Sequence, residues 1–320
     1  MIQNNKIDFA KGADVGWLQQ MEATGYKFFN DNGVEQDCLE ILKDHGIDSI
    51  RLRAWVNPSD DPRSGHCSTE EVVEMSVRAK KMGFKLMIDF HYSDTWADPA
   101  KQAKPAAWAD HSFEQLVTDV YDYTYGVMIA LKDKGITPEW VQVGNEIPWG
   151  MMWPEGSTDN FPQLSRLLNS GYDAVKAASA ETKVIIHLDQ GDDRSRFINF
   201  FDKHRDNGGK YDIIGMSYYP YWVNKDYTDT IDNLTNNMNE FVSRYGKEVM
   251  VTEVGGEDTK VQNTYDMLAA VIKKVREVPE GKGLGVFYWE PEGAASWSGY
   301  KLSCWGDDGR PTDALDAFLL

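Results

Sequence analysis

Glu139-Trp140-Val141-Gln142-Val143-Gly144-Asn145-Glu146-Ile147-Pro148 is the stretch on which the fold turns. Val141 and Val143 follow a helix-ending Gly135 and read as a short buried strand with an Asn-Glu pair at its exit. A second short strand, Val249-Met250-Val251-Thr252, delivers Glu253 and then Val254-Gly255-Gly256. One glutamate on a loop is ordinarily a solvated carboxylate. Two distant strands that each end in glutamate can set two carboxylates across one cleft, because strand ends in an α/β barrel share a face.

Working outward, one punctuation recurs. Lys43-Asp44-His45-Gly46, Lys80-Lys81-Met82-Gly83, Lys132-Asp133-Lys134-Gly135 and Ser243-Arg244-Tyr245-Gly246 each close an amphipathic run and precede a strand. The basic residues suit a helix C-terminus and the glycine suits a left-handed cap. Val34 to His45 has apolar residues at helical spacing, and Ser68 with Glu71 and Ser112 with Gln115 have capping-box form. Further helices are expected over Gln163 to Ala180, Ser195 to Asp206, Thr228 to Tyr245, Lys260 to Glu277 and Thr312 to Leu320.

Eight strands alternate with these helices: Asp8 to Trp17, Ile47 to Arg53, Phe84 to His91, Trp140 to Glu146, Lys183 to Asp189, Asp212 to Tyr219, Lys247 to Glu253 and Gly285 to Glu290. With no linker between them, the reading is an α/β protein, a (β/α)8 TIM barrel forming one domain over residues 1–320. A doubly wound open sheet fits less well, since no Gly-rich phosphate loop follows the first strand.

The 320 residues carry a formal charge of −18, with 42% apolar and 26% charged residues. That balance excludes a nucleic-acid partner, which requires clustered Lys and Arg. No run approaches the roughly 18 to 20 apolar residues of a membrane span. Met1 to Asp8 is polar without an apolar core, so no secretory signal is read, and one is expected to have been removed. Cys38, Cys67 and Cys304 share no zinc or disulfide spacing, and at most one pair could bridge.

The expected strand ends bring together Arg51, Arg53, Trp55, His91, Asp94, Asn145, Glu146, Tyr218, Tyr219, Glu253 and Trp289. Two carboxylates, a fixed cation, an imidazole, an amide and aromatic rings suit glycoside hydrolysis, in which one carboxylic acid protonates the leaving oxygen and a second carboxylate attacks or activates water. Arg51 and Arg53 read equally as structural ion-pair members, His91 as a core histidine, and the tryptophans as core filler.

The sequence resembles the endo-β-1,4-galactanases of glycoside hydrolase family 53. The resemblance runs from Ala13-Asp14-Val15 to Tyr288-Trp289-Glu290. It rests on Ile50-Arg51-Leu52-Arg53 with Trp55-Val56-Asn57-Pro58, on Phe90-His91-Tyr92-Ser93-Asp94-Thr95-Trp96-Ala97-Asp98-Pro99, and on Lys104-Pro105-Ala106-Ala107-Trp108. Gly144-Asn145-Glu146-Ile147, Trp153-Pro154-Glu155-Gly156, His187-Leu188-Asp189, Ser217-Tyr218-Tyr219-Pro220 and Thr252-Glu253 complete it.

The resemblance implies Glu146 as general acid/base and Glu253 as nucleophile of a retaining, endo-acting galactanase that cuts galactan side chains of pectin. It further implies Asn145 on the sugar 2-hydroxyl and Arg51 paired with the nucleophile, with Arg53 the second choice. His91 and Tyr219 would surround the reacting sugar, Tyr218 is held in reserve, and Trp289 would form the floor. Trp55, Trp96 and Trp153 become stacking candidates, and Asp94 and Asp189 polar contacts. No cofactor is implied, and a monomer acting on a polymer outside the cell is expected.

Gly255 to Lys260 and Glu292 to Trp305 look short against family members that carry calcium and a disulfide there, so no metal is expected. Trp149, Met151 and Met152 are apolar and read as shaping a leaving-group subsite. The competing readings are an endo-hydrolase of mannan, xylan or glucan, a non-catalytic glycan-binding barrel, and a metal-dependent barrel hydrolase.

Overall fold

The computed structural model describes residues 8–61 and 66–320, so the polar segment Met1 to Ile7 lies outside the described residues. Eight parallel strands close into a barrel in chain order. They are β1 (Ala10–Asp14), β2 (Ser49–Ala54), β3 (Lys85–Phe90), β4 (Trp140–Val143), β5 (Lys183–Leu188), β6 (Ile213–Tyr218), β7 (Glu248–Val254) and β8 (Gly283–Trp289). Packed outside them are α1 (Leu18–Ala23), α2 (Cys38–Asp44), α3 (Thr69–Lys81), α4 (Phe113–Lys132), α5 (Phe161–Ala178), α6 (Arg194–Asp206), α7 (Tyr227–Tyr245) and α8 (Val261–Arg276).

The expected punctuation is present. Gly46, Gly83, Gly135 and Gly246 all have positive φ, 88°, 86°, 73° and 66°. Side chains have no room to adopt this conformation cheaply, which is why glycine stands at each helix exit. Ser68 and Glu71 form the capping box of α3, and Ser112 accepts a hydrogen bond from the Gln115 N–H at the start of α4. Some boundaries differ from expectation. The first strand stops at Asp14, before α1, and the C-terminal helix is a 3-10 helix over Asp313–Leu319.

Alternation divides each strand into an outer face against the helices and an inner face filling the barrel. Ala10, Met87, Trp140, Ile185, Ile213, Met250, Leu284 and Phe287 form a separate apolar plug inside the barrel. Gly12 is required there, because a Cβ would lie 2.1 Å from the Phe287 ring. Farther along the same inner faces stand Asp14, Arg51, Asp89, Gln142, His187 and Ser217, all buried. The plug thus ends in a polar layer at the C-terminal mouth.

Continued alternation from Met250 would turn Glu253 outward. It does not, because the pairing of β6 with β7 shifts by one residue: Met216 faces Val251 and Ser217 faces Glu253. A one-residue slip reverses side-chain direction, so the shift at Thr252 aims Glu253 into the mouth. Among the described residues no helix is long and apolar enough to cross a membrane, and Cys38, Cys67 and Cys304 are buried and free.

Candidate active site

Arg51 is the fixed charge around which the mouth is assembled. Its Nη1 lies 2.7 Å from Asp14 Oδ2 and 3.0 Å from Glu253 Oε1, and its Nη2 lies 2.9 Å from Asp89 Oδ2. Nη2 also donates to Asn145 Oδ1 at 3.0 Å, and Nε donates to Gln142 Oε1 at 2.9 Å. Three carboxylates around one guanidinium would be costly in a dry interior unless every oxygen were engaged. Here Asp89 also accepts from Gln142 and His91, and Glu253 Oε2 accepts from the Tyr219 hydroxyl at 2.9 Å.

Glu146 is held by a different set. Ser217 Oγ–H donates to Glu146 Oε1 at 2.7 Å, while His187 Nε2–H donates to Ser217 Oγ at 2.8 Å. Gln142 Nε2 completes this relay by donating to His187 Nδ1 at 2.9 Å. Burial pushes the His187 imidazolium well below its ordinary pKa, with Arg51 adding to the effect, so the ring is neutral as the relay requires. Gln102 Nε2 donates to the carbonyls of Asn145 and Glu146, and Glu146 itself takes a positive φ of 47°.

The two glutamates therefore hold protons differently. Burial pushes Glu253 up to about 7, against the opposing pull of Arg51. Burial, then the Glu253 charge, pushes Glu146 well above the usual carboxylate range. Glu146 keeps its proton where Glu253 has lost it. Asp89 goes the other way: its burial is outweighed by Arg51 and His91, which hold it below its ordinary value.

One oxygen of each glutamate and one nitrogen of His187 lie within 4.8 Å of one another. That trio could be read as a metal site. Its donors are committed, however, since both His187 nitrogens are engaged by Gln142 and Ser217 and both Glu253 oxygens by Arg51 and Tyr219. The guanidinium 3.0 Å from Glu253 also opposes a second cation.

A cleft of about 380 Å³ opens over these groups, lined by His91, Trp96, Asn145, Glu146, Asp189, Tyr219, Glu253 and Trp289 among the expected residues. Six others expected at the site do not line it, among them Arg51, which is buried against Glu253. Tyr218 faces outward and its hydroxyl meets Thr230 on α7 at 2.7 Å, because strand alternation sends neighbours to opposite sides. Arg53 pairs with Glu290 at 2.5 Å instead of Glu253. Trp55 is fully buried, and Asp94 accepts from the Asn57 and Ala106 N–H groups to pin two loops. Trp153 hydrogen-bonds the Trp149 carbonyl outside the cleft.

Sequence reasoning gave no role to Gln142, His187, Ser217, Tyr300 or Trp222, although the last three line the cleft. Inward parity on β4, β5 and β6 was the available signal for the first three. Tyr300 reaches the cleft from the loop after β8 and Trp222 from the loop after β6, where no periodicity applies.

A closed barrel in which glutamates following the fourth strand and from the seventh meet over the mouth defines a barrel glycosyl hydrolase. Residues 10–318 match glycosyl hydrolase family 53, and the chain belongs to that family. A probable arabinogalactan endo-beta-1,4-galactanase A of Aspergillus terreus is 36% identical over 303 residues, covering 88% of this chain and 85% of its own length. An endo-beta-1,4-galactanase of Bacillus subtilis is 35% identical over 315 residues, covering 91% of this chain and 71% of its own. Among solved structures, the Ignisphaera aggregans GH53 catalytic domain superposes with a TM-score of 0.89 at 32% identity, covering 99% of this chain and 97% of that one.

Proposed function

We propose that this enzyme hydrolyses internal β-1,4-galactosidic bonds of galactan or arabinogalactan side chains with retention, using Glu146 as acid/base and Glu253 as nucleophile. The observation that carries the mechanism is that one oxygen of each carboxyl group lies within 4.8 Å of an oxygen of the other, each group in its own environment. Retaining enzymes hold the pair roughly 5 to 5.5 Å apart, whereas inversion needs roughly 6.5 to 9.5 Å to admit a water. The substrate reading is supported by the galactanases among the relatives.

In the first step a Glu253 oxygen attacks the anomeric carbon, the glycosidic C–O bond breaks, and the Glu146 proton passes to the departing oxygen. Arg51 and Tyr219 hold the attacking carboxylate in place. In the second step Glu146 takes a proton from water, whose oxygen displaces Glu253 and restores the β configuration. Positive charge gathers on the sugar ring in the transition state of each step. Asp14, Asp89 and Glu253 around the single Arg51 form a negative cradle that stabilises it. Asn145 gives one N–H to Ala97 O at 2.8 Å, leaving its second N–H for the sugar 2-hydroxyl.

A polymer substrate supports action outside the cell, and we propose that the enzyme works there as a monomer. The test is linear β-1,4-galactan beside mannan, xylan and β-glucan. Oligosaccharides from galactan alone are expected, and preference for another polymer would discard the substrate. Azide with Glu253→Ala and an activated β-galactoside should yield the α-azide, and with Glu146→Ala the β-azide. Wild-type turnover in Glu253→Ala would remove the mechanism.

A further inference from the structure

Glu146 stands on backbone that most side chains avoid. Its φ of 47° lies in the left-handed region, which is strained for any residue with a Cβ. Among the described residues its carboxyl is held by one donor, Ser217 Oγ at 2.7 Å. One bond at the tip does not fix the direction in which a glutamate side chain leaves the main chain, so the turned backbone needs a hold of its own.

Gln102, on the loop between β3 and α4, supplies it. The residue is 2% exposed, and its Nε2 donates to Asn145 O at 2.9 Å, Glu146 O at 3.3 Å and Asp98 O at 3.1 Å. Two N–H groups serve three carbonyls, so one of them is shared. Asn145 O and Glu146 O belong to the two peptide planes that flank the Glu146 Cα, and the relation between those planes is its φ and ψ. Successive carbonyls of extended backbone point to opposite sides. A single nitrogen reaches both only because Glu146 is turned out of that conformation.

The amide has one workable orientation. Gln102 Oε1 is buried and has no hydrogen-bond partner among the described residues. Turning the amide over would set that oxygen against three carbonyl oxygens, so the nitrogen faces them and the oxygen goes without a donor. The loop that carries Gln102 is itself anchored. The Trp153 N–H donates to Gln102 O at 2.8 Å, and Asp98 and Lys101 exchange backbone hydrogen bonds at 2.9 and 3.0 Å. From the same loop Ala97 O accepts from Asn145 Nδ2 at 2.8 Å. The peptide after Glu146 is tied at both ends, its C=O to Gln102 and its N–H to His187 O on β5 at 3.1 Å.

We infer that Gln102 is the positioning residue of the acid/base: from the loop after β3 it holds the turned backbone of Glu146, and with it the line along which the carboxyl meets the glycosidic oxygen. This rests on the role of Glu146 proposed above. Asp98 and Lys101 of the same loop line the cleft, whereas Gln102 acts from behind it.

The test is Gln102→Met, which keeps the length of the side chain and loses both donors. It compares β-1,4-galactotetraose, whose leaving group needs a proton, with dinitrophenyl β-1,4-galactobioside, whose leaving group departs without one. On the tetraose kcat/KM should fall about a hundredfold, and on the dinitrophenyl substrate by no more than about threefold. Water attack on the glycosyl-enzyme also uses Glu146, so kcat on the dinitrophenyl substrate should fall as well. Azide, which needs no base, should restore that kcat and yield the β-galactobiosyl azide. Misfolding or a displaced Glu253 would slow both substrates alike. Equal losses on the two substrates, an undiminished rate on the tetraose, or a kcat that azide does not raise would overturn the role of Gln102. Glu146→Ala is the reference and should show the same selective pattern more severely. If Glu146→Ala slows both substrates equally, the acid/base reading fails and this inference with it; a selective loss in Glu146→Ala that Gln102→Met does not share removes Gln102 alone.

Discussion

Glu146 and Glu253 are the same residue type, and their difference in role comes entirely from what surrounds them. Glu253 has a guanidinium and a phenol on its oxygens, whereas Glu146 has one serine hydroxyl and a negative neighbour. Replacing Glu253 with Gln removes that neighbouring charge and frees Arg51 to act on Glu146, so the Glu146 pKa should fall. Carbon-13 titration of the Glu146 carboxyl would read it, and an unchanged value would mean burial alone sets the proton. Ser217→Ala works in the opposite sense. Losing a donor to the charged form pushes Glu146 higher, and the alkaline limb of kcat/KM should move to higher pH. A limb that stays in place would detach the relay from catalysis.

Arg53 shows how an element's context overrides a residue's apparent vocation. It stands two residues from Arg51 on β2 with the same inward parity, yet the guanidinium finds Glu290 and the face of Trp96, whose ring centre is 4.4 Å away. Trp17, Trp55 and Trp289 surround it at 5.8 to 6.0 Å. Glu290 meanwhile accepts from the Trp17 N–H at 3.1 Å, tying α1 to the end of β8. Removing the cation strands a buried carboxylate, so Arg53→Met should cost about 3 to 5 kcal/mol in urea unfolding. Adding Glu290→Gln should recover part of that loss. Arg53→Lys should not substitute fully, since an ammonium has no planar face to lay on Trp96. A loss below about 1 kcal/mol in Arg53→Met would mean the pair contributes no more than a surface bridge.

These contacts also mark where the sequence could be read. The β-α units were legible because helix caps and glycines are local chemistry, and Gly46, Gly83, Gly135 and Gly246 each take the expected conformation. Arg51 beside Glu253 followed from parity on β2, once a resemblance supplied the partner. Parity failed at Glu253 itself: its inward direction depends on a register shift with β6, which no property of Thr252 announces. For Arg53 parity gave the inward direction but not the partner, Glu290, which follows directly on β8. Loop residues such as Tyr300 and Trp222 stay invisible to periodicity because their placement is set by tertiary contacts.

The barrel as a unit inherits a pH dependence from its crowded mouth. Burial pushes Glu253 and Glu290 up to about 7 and Glu146 and Glu292 well above the usual range. Glu292 is fully buried, and neither oxygen has a hydrogen-bond partner of ordinary geometry, while the charge of Glu290 adds to its burial. In the unfolded chain these groups titrate at about 4.3. Between that value and their folded values the folded state holds protons that the unfolded state has released, so stability is full below about 4.3 and falls as pH rises. Asp89 is held low and acts in the opposite direction, contributing stability above its unfolded value that is lost on acidification. The two trends put maximal stability at mildly acidic pH. Each retained proton contributes up to about 1.4 kcal/mol per pH unit. Glu292→Gln keeps the shape and removes one such proton, so its urea midpoint should match wild type near pH 4 and exceed it increasingly towards pH 7. Parallel midpoints across that range, or a wild type that grows steadily more stable from pH 5 to 8, would show that Glu292 is ionised in the folded barrel and draws a compensating partner.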